Sequence, residues 1–317
     1  MILLTGAAGF IGSNLLNHLK AHSDKPIAIV DDFCGPKVKN IESTHYDVKI
    51  HRDQLFDWLS INGYRVTEVY HLGARTDTIE KKQSIFHHLN LNYSKRIWNF
   101  CIAYHLPLVY ASSAATYGLG EFGFKDSHII CKDLKPLNPY AQSKNEFDIW
   151  ALQQDQQPPF WAGIKFFNVF GPNETHKGRM ASVIFHAFHQ INQTKGMKLF
   201  RSHRPDVKDG YQSRDFIYVD DIVKLCLYFM DQQPTSGLYN GGTGEARTFL
   251  DLVKATFRAM GEPESIQFID TPIEIRHTYQ YFTEANMKKT WEAGYSEKML
   301  TLEEGVTRYV QHLETTI

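Results

Sequence analysis

Cysteine is scarce in this chain of 317 residues. The four present (Cys34, Cys101, Cys131, Cys226) are scattered and form no Cys-x-x-Cys pair, which argues against a disulfide framework or a zinc site. The fifteen histidines are dispersed, with no His-Glu-x-x-His run and no Cys/His cluster, so no metal site is expected. No stretch approaches the ~18 apolar residues that a membrane helix needs. The opening Met-Ile-Leu-Leu-Thr-Gly carries no basic segment and no cleavage site. It reads as a first strand instead of an export signal, and a cytoplasmic location is the expectation. Charge of one sign is not in excess: 34 Lys+Arg stand against 35 Asp+Glu, a net charge of -1. No basic run is long enough to act as an arm. Nothing here points to nucleic acid or an anionic membrane as a partner. Repeats, low-complexity tracts and long Gly/Ser linkers are also missing.

What is present is the composition of a globular protein, 43% hydrophobic and 22% charged, and a length that suggests two units of roughly 150 residues. The aromatic side chains are expected in core and interface and not on a nucleic-acid stacking platform. The first half alternates β-rich runs (Ile2–Thr5, Ile27–Val30, Glu68–His71, Leu106–Tyr110, Gly163–Phe167) with amphipathic stretches (Ile11–Ala21, Arg52–Leu59, Phe86–Tyr104, Tyr140–Gln154). That alternation predicts an α/β fold, a doubly wound parallel sheet of Rossmann type with right-handed crossovers. The second half is less regular. Helices are predicted at Met180–Gln193, Asp220–Met230, Thr248–Met260 and Leu302–Leu313, a strand and turn at Gly237–Gly241, and a polar loop over Lys195–Asp215 around a short Lys198–Phe200 strand.

Thr5-Gly6-Ala7-Ala8-Gly9-Phe10-Ile11-Gly12 follows the first predicted strand and opens the first helix. Glycines permit a tight turn and close approach to a phosphate, and a helix N-terminus offers free N–H groups to a pyrophosphate. Gly12 is placed to let the helix pack close to the sheet. A plain strand–turn–helix without ligand is the alternative, and the position right after a first strand weighs against it. Asp31 ends the second predicted strand, about 20 residues on, where a carboxylate accepts from an adenosine ribose and favours NAD. Asp32 adds negative charge. Lys37 and Arg52 are placed to pair with a 2′-phosphate, or are a solvated basic surface. The residues alone leave NAD and NADP both open.

Tyr140 and Lys144 form a Tyr-x-x-x-Lys pair near the start of a predicted helix, on one face. A phenol titrates at about 10, and a nearby ammonium is expected to draw it toward a working pH. Ser113, at the end of what reads as the fourth strand, is placed to hydrogen-bond a substrate oxygen near Tyr140, because ligands collect at strand carboxyl ends in such sheets. A serine-rich loop cap is its alternative. On the residues alone, Lys177 is a phosphate contact or a surface lysine at a helix start.

Taken with Arg214–Asp221 and Asn240–Gly244, these motifs resemble the extended short-chain dehydrogenases/reductases acting on nucleotide sugars. Tyr110–Gly118, Phe167–Pro172, His176–Ser182 and Tyr279–Thr283 resemble, within that group, the ADP-L-glycero-D-manno-heptose 6-epimerase family, over nearly the whole chain. The sugar-nucleotide 4,6-dehydratases carry an Asp-Glu pair where this chain has Ala114 and Ala115. Fucose-synthase-like enzymes carry a cysteine where Ala114 stands, and UDP-galactose 4-epimerase relatives lack the His-Lys-Gly segment. The resemblance implies an ADP-heptose substrate inverted at C6 on a tightly bound NADP or NAD, with the lipopolysaccharide inner core as the pathway and a homo-oligomer, a pentamer among the possibilities.

The same resemblance implies Tyr140 and Lys177 as two proton-transfer groups, with Ser113 and Lys144 completing the catalytic set. It implies cofactor contacts from Gly6, Gly9, Phe10, Ile11, Gly12, Asp31, Asp32, Lys37, Arg52, Leu72, Gly73, Ala74, Arg75, Thr76, Asn90, Tyr140, Lys144, Val169 and Lys177. Substrate contacts are implied from Asn168, Arg179, His186, Phe200, Arg201, Ser202, His203, Arg214 and Tyr279. Arg179, Leu72, Arg75 and a long Arg201–Ser213 loop depart from the family pattern, and Arg75 is expected to tilt the charge balance toward NADP. Residues 1–168 with about 215–240 are expected to form the dinucleotide-binding unit, and 169–214 with 241–317 a smaller mixed α/β substrate unit. Rivals are another epimerase or reductase of the superfamily and a non-catalytic NAD(P)-binding sensor; a sensor has little reason to keep Ser113, Tyr140, Lys144 and Lys177 together.

Overall fold

The computed structural model describes residues 1–316. Twelve strands occur among them: β1 (Ile2–Thr5), β2 (Ile27–Asp31), β3 (Val48–His51), β4 (Glu68–His71), β5 (Leu108–Ser113), β6 (Trp161–Phe166), β7 (Asn168–Phe170), β8 (Met197–Phe200), β9 (Ser213–Tyr218), β10 (Gly237–Gly241), β11 (Ala246–Thr248) and β12 (Ile266–Ile269). The α-helices are α1 (Phe10–His22), α2 (Leu55–Asn62), α3 (Gln83–Phe86), α4 (Tyr93–Ala103), α5 (Pro139–Leu152), α6 (Val183–Thr194), α7 (Val219–Gln232), α8 (Phe249–Ala259), α9 (Ile273–Arg276), α10 (Lys288–Glu292) and α11 (Leu302–Thr316).

Seven strands form one sheet in the order β10-β6-β5-β4-β1-β2-β3, and every pairing in it is parallel. This is the doubly wound fold that the alternation predicts. Its interior strands are apolar on both faces (β1 and β2 are buried throughout), as a sheet covered by helices on two sides requires. One core lies on the α1 and α7 side, around Leu15, Leu16, Ile29, Ile222 and Phe229. The other lies under α2, α4 and α5, around Leu59, Ile97, Trp98, Phe147 and Trp161. A third core joins α6, α8 and α11 over the second unit. That unit is organised by two small sheets, β11-β9-β7 and β12-β8.

The chain departs from the sequence expectation at definite places. β3, whose Val-Lys-Ile-His buries only Ile50, is a strand beyond those expected; with it counted, Ser113 ends the fifth strand and not the fourth. β5 starts at Leu108 because Pro107 has no N–H to give the ladder. It runs on to Ser113 because Ala111, Ser112 and Ser113 pair with Ile164, Lys165 and Phe166. The single helix expected over Phe86–Tyr104 is α3, a π-turn at His87–Asn92 and α4. α6 begins at Val183, where the Ser182 side chain accepts from the Phe185 N–H, because Gly178 at φ +53° breaks the preceding turn. The loop expected up to Asp215 ends earlier, since β9 starts at Ser213. Of residues 215–240, α7 and β10 pack with the large sheet, while 215–218 run between β7 and β11.

Candidate active site

The order of the large sheet reverses at β1, between β2 and β4, so a crevice opens at the carboxyl ends of β1 and β4. Gly6 leaves β1 at φ +73°, and a side chain there would meet the Gly73 backbone nitrogen at 2.6 Å. A side chain on Gly12 would strike the Gly6 carbonyl oxygen at 2.0 Å. Both positions demand glycine. α1 has no side-chain cap and no acidic residue in its first turn, so its N-terminal N–H groups and partial positive charge face the crevice uncompensated. The cradle fits the pyrophosphate of a dinucleotide.

At the end of β2, Asp31 accepts from the Ala8 N–H at 3.0 Å and from the Asp32 N–H at 2.8 Å. Lys37 pairs with Asp31 at 2.6 Å and with Asp32 at 2.5 Å, and Arg52 reaches Asp32 at 3.1 Å. Burial pushes the Asp32 carboxyl up, but the Lys37 ammonium outweighs it and brings the group down to about 2. Two carboxylates and two cations thus stand together where the adenosine ribose of a dinucleotide would end. Beyond β4, Asn90 in the π-turn accepts from the Arg75 N–H at 2.8 Å and donates to the Arg75 carbonyl at 3.0 Å and to Ser143 at 2.9 Å. The Arg75 guanidinium pairs with Asp77 at 3.2 Å.

His71, Thr5 and Ser94 were not singled out from sequence. The Thr5 hydroxyl accepts from the Gly73 N–H at 3.1 Å and is hydrogen-bonded to His71 Nδ1 at 2.7 Å, while His71 Nε2 is hydrogen-bonded to the Ser94 hydroxyl at 2.8 Å. Burial pushes His71 down to about 3, so a neutral imidazole locks the β1 and β4 ends at the crevice.

Tyr140 and Lys144 lie on α5, whose start is set by Asn138 as cap (its side chain accepts from Ala141 N–H at 2.9 Å) and by Pro139 in the first turn. The Lys144 ammonium is buried and donates to the Ala111 carbonyl at 2.7 Å. Burial draws it down to about 8, with Asp148 opposing. The expected lowering of the Tyr140 phenol is not found: burial pushes it up, and only the Ser113 side chain opposes that. The reason is geometric, since Lys144 is committed to Ala111. Ser113 is held by Thr116, which donates to its carbonyl at 2.8 Å, and its own oxygen accepts from the Ala115 N–H at 3.1 Å.

Lys177 sits on the turn Thr175–Met180. Its ammonium lies 5.0 Å from the Phe10 ring centre and 3.9 Å from the buried Glu174 carboxylate. Burial lowers its pKa and Glu174 opposes that. Asn40 ties this turn to the glycine loop, donating to the Ala8 carbonyl at 3.1 Å and the Asn173 carbonyl at 3.0 Å. Lys177 is therefore a half-buried group over the start of α1, and not a loose surface lysine.

A cavity of ≈ 350 Å³ is lined by Leu119, Gly120 and Phe124 from the loop after β5 and by His203, Arg276, His277 and Tyr279 among others from the later chain. The Phe200 ring stands 6.5 Å from Tyr279. Arg214 is buried, with its guanidinium 5.6 Å from the Tyr279 ring, and burial brings it down to about 10. Tyr281 organises the long loop, its hydroxyl accepting from the His203 N–H at 2.9 Å and meeting Ser202 at 3.2 Å. Arg201 is spent on Asp209 (3.2 Å) and Asp270 (3.0 Å). Of the expected substrate residues only His203 and Tyr279 line this cavity; Asn168, Arg179, His186, Phe200, Arg201, Ser202 and Arg214 do not.

Comparison with known proteins matches residues 2–242 to the NAD dependent epimerase/dehydratase family. The chain belongs to that family. It is similar to the ADP-L-glycero-D-manno-heptose-6-epimerase of Fusobacterium nucleatum, at 43% identity over 98% of this chain and 97% of that one. It is equally similar, at 43% identity and the same coverage, to the protein of that name from Nitratidesulfovibrio vulgaris. The crystal structure of the Helicobacter pylori ADP-L-glycero-D-manno-heptose-6-epimerase superposes with a TM-score of 0.83 at 25% identity, covering 99% of this chain and 96% of that one. In this epimerase-family chain, Arg276 and His277 escaped the sequence reading because no local motif marks them; only the fold brings them to the cavity.

Proposed function

We propose that the chain inverts C6 of the heptose in ADP-D-glycero-D-manno-heptose, giving ADP-L-glycero-D-manno-heptose. The observation that carries this reading is the pairing of a Ser113–Tyr140–Lys144 set at the β5 end with Lys177 over the glycine loop. A nicotinamide dinucleotide in the crevice supplies reversible hydride acceptance and, when oxidised, a positive ring charge. The chain's own groups do the rest. Inverting a carbinol by oxidation and return requires the carbonyl to turn over, so its oxygen occupies two positions. The Lys177 amine is drawn down toward a working pH by burial, and a phenol and an amine can each give and take a proton at one of those two positions. Tyr140, steadied by Ser113, serves one and Lys177 the other. Arg214, with its planar donor fork, suits the diphosphate, and the His203–Tyr279 cavity suits the nucleotide end.

The dinucleotide is proposed to be NADP, because Lys37 and Arg52 flank Asp31 and Asp32 where a 2′-phosphate would lie. A cytoplasmic homo-oligomer is proposed with it; a sedimenting mass of 36.6 kDa for the purified protein would count against the oligomer. The test of function is proton NMR at C6 of ADP-D-glycero-D-manno-heptose with purified protein and no added cofactor. The L-glycero signal is expected to grow without stoichiometric use of reduced dinucleotide. Consumption of NADPH in step with product would show a reductase instead, and no conversion in dinucleotide-bound protein would favour a sensor.

A further inference from the structure

We propose that the buried Lys165–Asp148 pair is a positioning unit for this site: it clamps the backbone carrying Ser113 and sets a carboxylate one helical turn beyond Lys144 on α5. The inference rests on the epimerase reading above. Both side chains are fully buried and meet at 2.6 Å. Such a pair is weak as a source of stability, since desolvating two ions offsets most of their attraction. Its connections give it another use. Asp148 accepts from the Tyr110 hydroxyl at 3.0 Å and from the Ser112 hydroxyl at 2.6 Å, both on β5 immediately before Ser113. Lys165 donates to the Thr116 hydroxyl at 2.9 Å, and Thr116 in turn donates to the Ser113 carbonyl. Ser113 is thus gripped from both sides by one ion pair that joins β5, β6 and α5.

Asp148 also follows Tyr140 and Lys144 at four-residue steps, on the same face of α5. The groups that bear on Lys144 are the Ala111 carbonyl on β5, which accepts from it, His71 on β4 and Asp148 on α5. His71 is neutral. Asp148 is the one anion in that set, and it works against the burial that draws Lys144 down.

The sign of the test follows. If turnover needs the Lys144 cation, activity falls as pH rises through its pKa. Loss of the Asp148 charge lowers that pKa further, so the alkaline fall in kcat moves to lower pH. In Asp148→Asn the fall is expected about one pH unit below that of the wild type, with KM for the nucleotide sugar within about twofold and kcat at neutral pH down roughly tenfold. Asp148→Asn leaves Lys165 unpaired in the core. If it does not fold, Asp148→Asn with Lys165→Met, which strands no ion, is read instead by kcat at neutral pH, expected down roughly tenfold with KM within about twofold because the clamp on Ser113 is gone; a wild-type kcat there overturns the inference. An alkaline limb that superposes on the wild type in the folded variant overturns the inference, since a merely structural role lowers stability without moving it. Inversion by the wild type with an unmoved limb defeats this inference alone; no inversion by the wild type defeats both it and the epimerase reading.

Discussion

Lys37 touches two carboxylates at once, at 2.6 and 2.5 Å, and that arrangement decides how the ribose end treats a phosphate. Without the lysine, Asp31 and Asp32 present two negative charges with only Arg52 opposing. With it, the two cations balance the two carboxylates, so a 2′-phosphate would meet a corner without net negative charge and could share the Lys37 and Arg52 donors. Thermal unfolding of the wild type is therefore expected to rise by about 5 °C with NADP at 100 times its Kd, and by less with NAD at the same concentration. In Lys37→Met the NADP increment is expected to vanish while a NAD increment remains. Equal increments for the two dinucleotides in both proteins would contradict the assignment. Residues of this kind were legible because they lie within a few positions of a recognisable strand end. Asp148 and Lys165 were not: each is unremarkable in its own segment, and their meaning arises only from a contact across two elements.

At the scale of the element, α1 shows how little sequence is needed to set a site. Gly12 lies within its first turn, and replacing it by alanine would raise helix propensity by about 1 kcal/mol. The added carbon would sit 2.0 Å from the Gly6 carbonyl oxygen, a backbone atom with nowhere to go. Overpacking of this sort costs about 1–3 kcal/mol even against side chains, so sterics win. Gly12→Ala is expected to lower unfolding free energy by about 2 kcal/mol in urea and to abolish dinucleotide binding; a variant as stable as the wild type would contradict this. Elements that alternate apolar runs with amphipathic helices, such as β1, α1, β2 and β4, were legible because local periodicity encodes them. β7, β9, β11 and β12 were not, because strands of three to six residues owe their form to distant partners. β9 spans part of a segment whose Arg214 and Asp215 read as polar loop; both are buried, Asp215 accepting from the Thr243, Gly244 and Ala285 N–H groups.

On the proposed reading, the whole molecule brings groups from both halves of the chain to one reaction. The large sheet brings the glycine loop, the acidic ribose corner and the Ser113–Tyr140–Lys144 set to its carboxyl edge. The later chain places Lys177 over α1 and then brings His203 and Tyr279 to the cavity. Fold class and chemistry were readable because the motifs fall in the right order along the chain. The protonation state of Tyr140 was not, because it depends on where the Lys144 ammonium finds its partner. Inversion of one carbinol by Tyr140 and Lys177 acting on two positions of its oxygen is the central claim. The measurement that tests it most directly is the initial rate of C6 inversion, by proton NMR, in Tyr140→Phe combined with Lys177→Met, with melting temperature and dinucleotide content followed alongside. A folded, dinucleotide-loaded variant is expected to show no L-glycero product where the wild type converts its substrate. Conversion within about tenfold of the wild-type rate, less than the 10²–10⁴ that acid–base groups contribute, would contradict it.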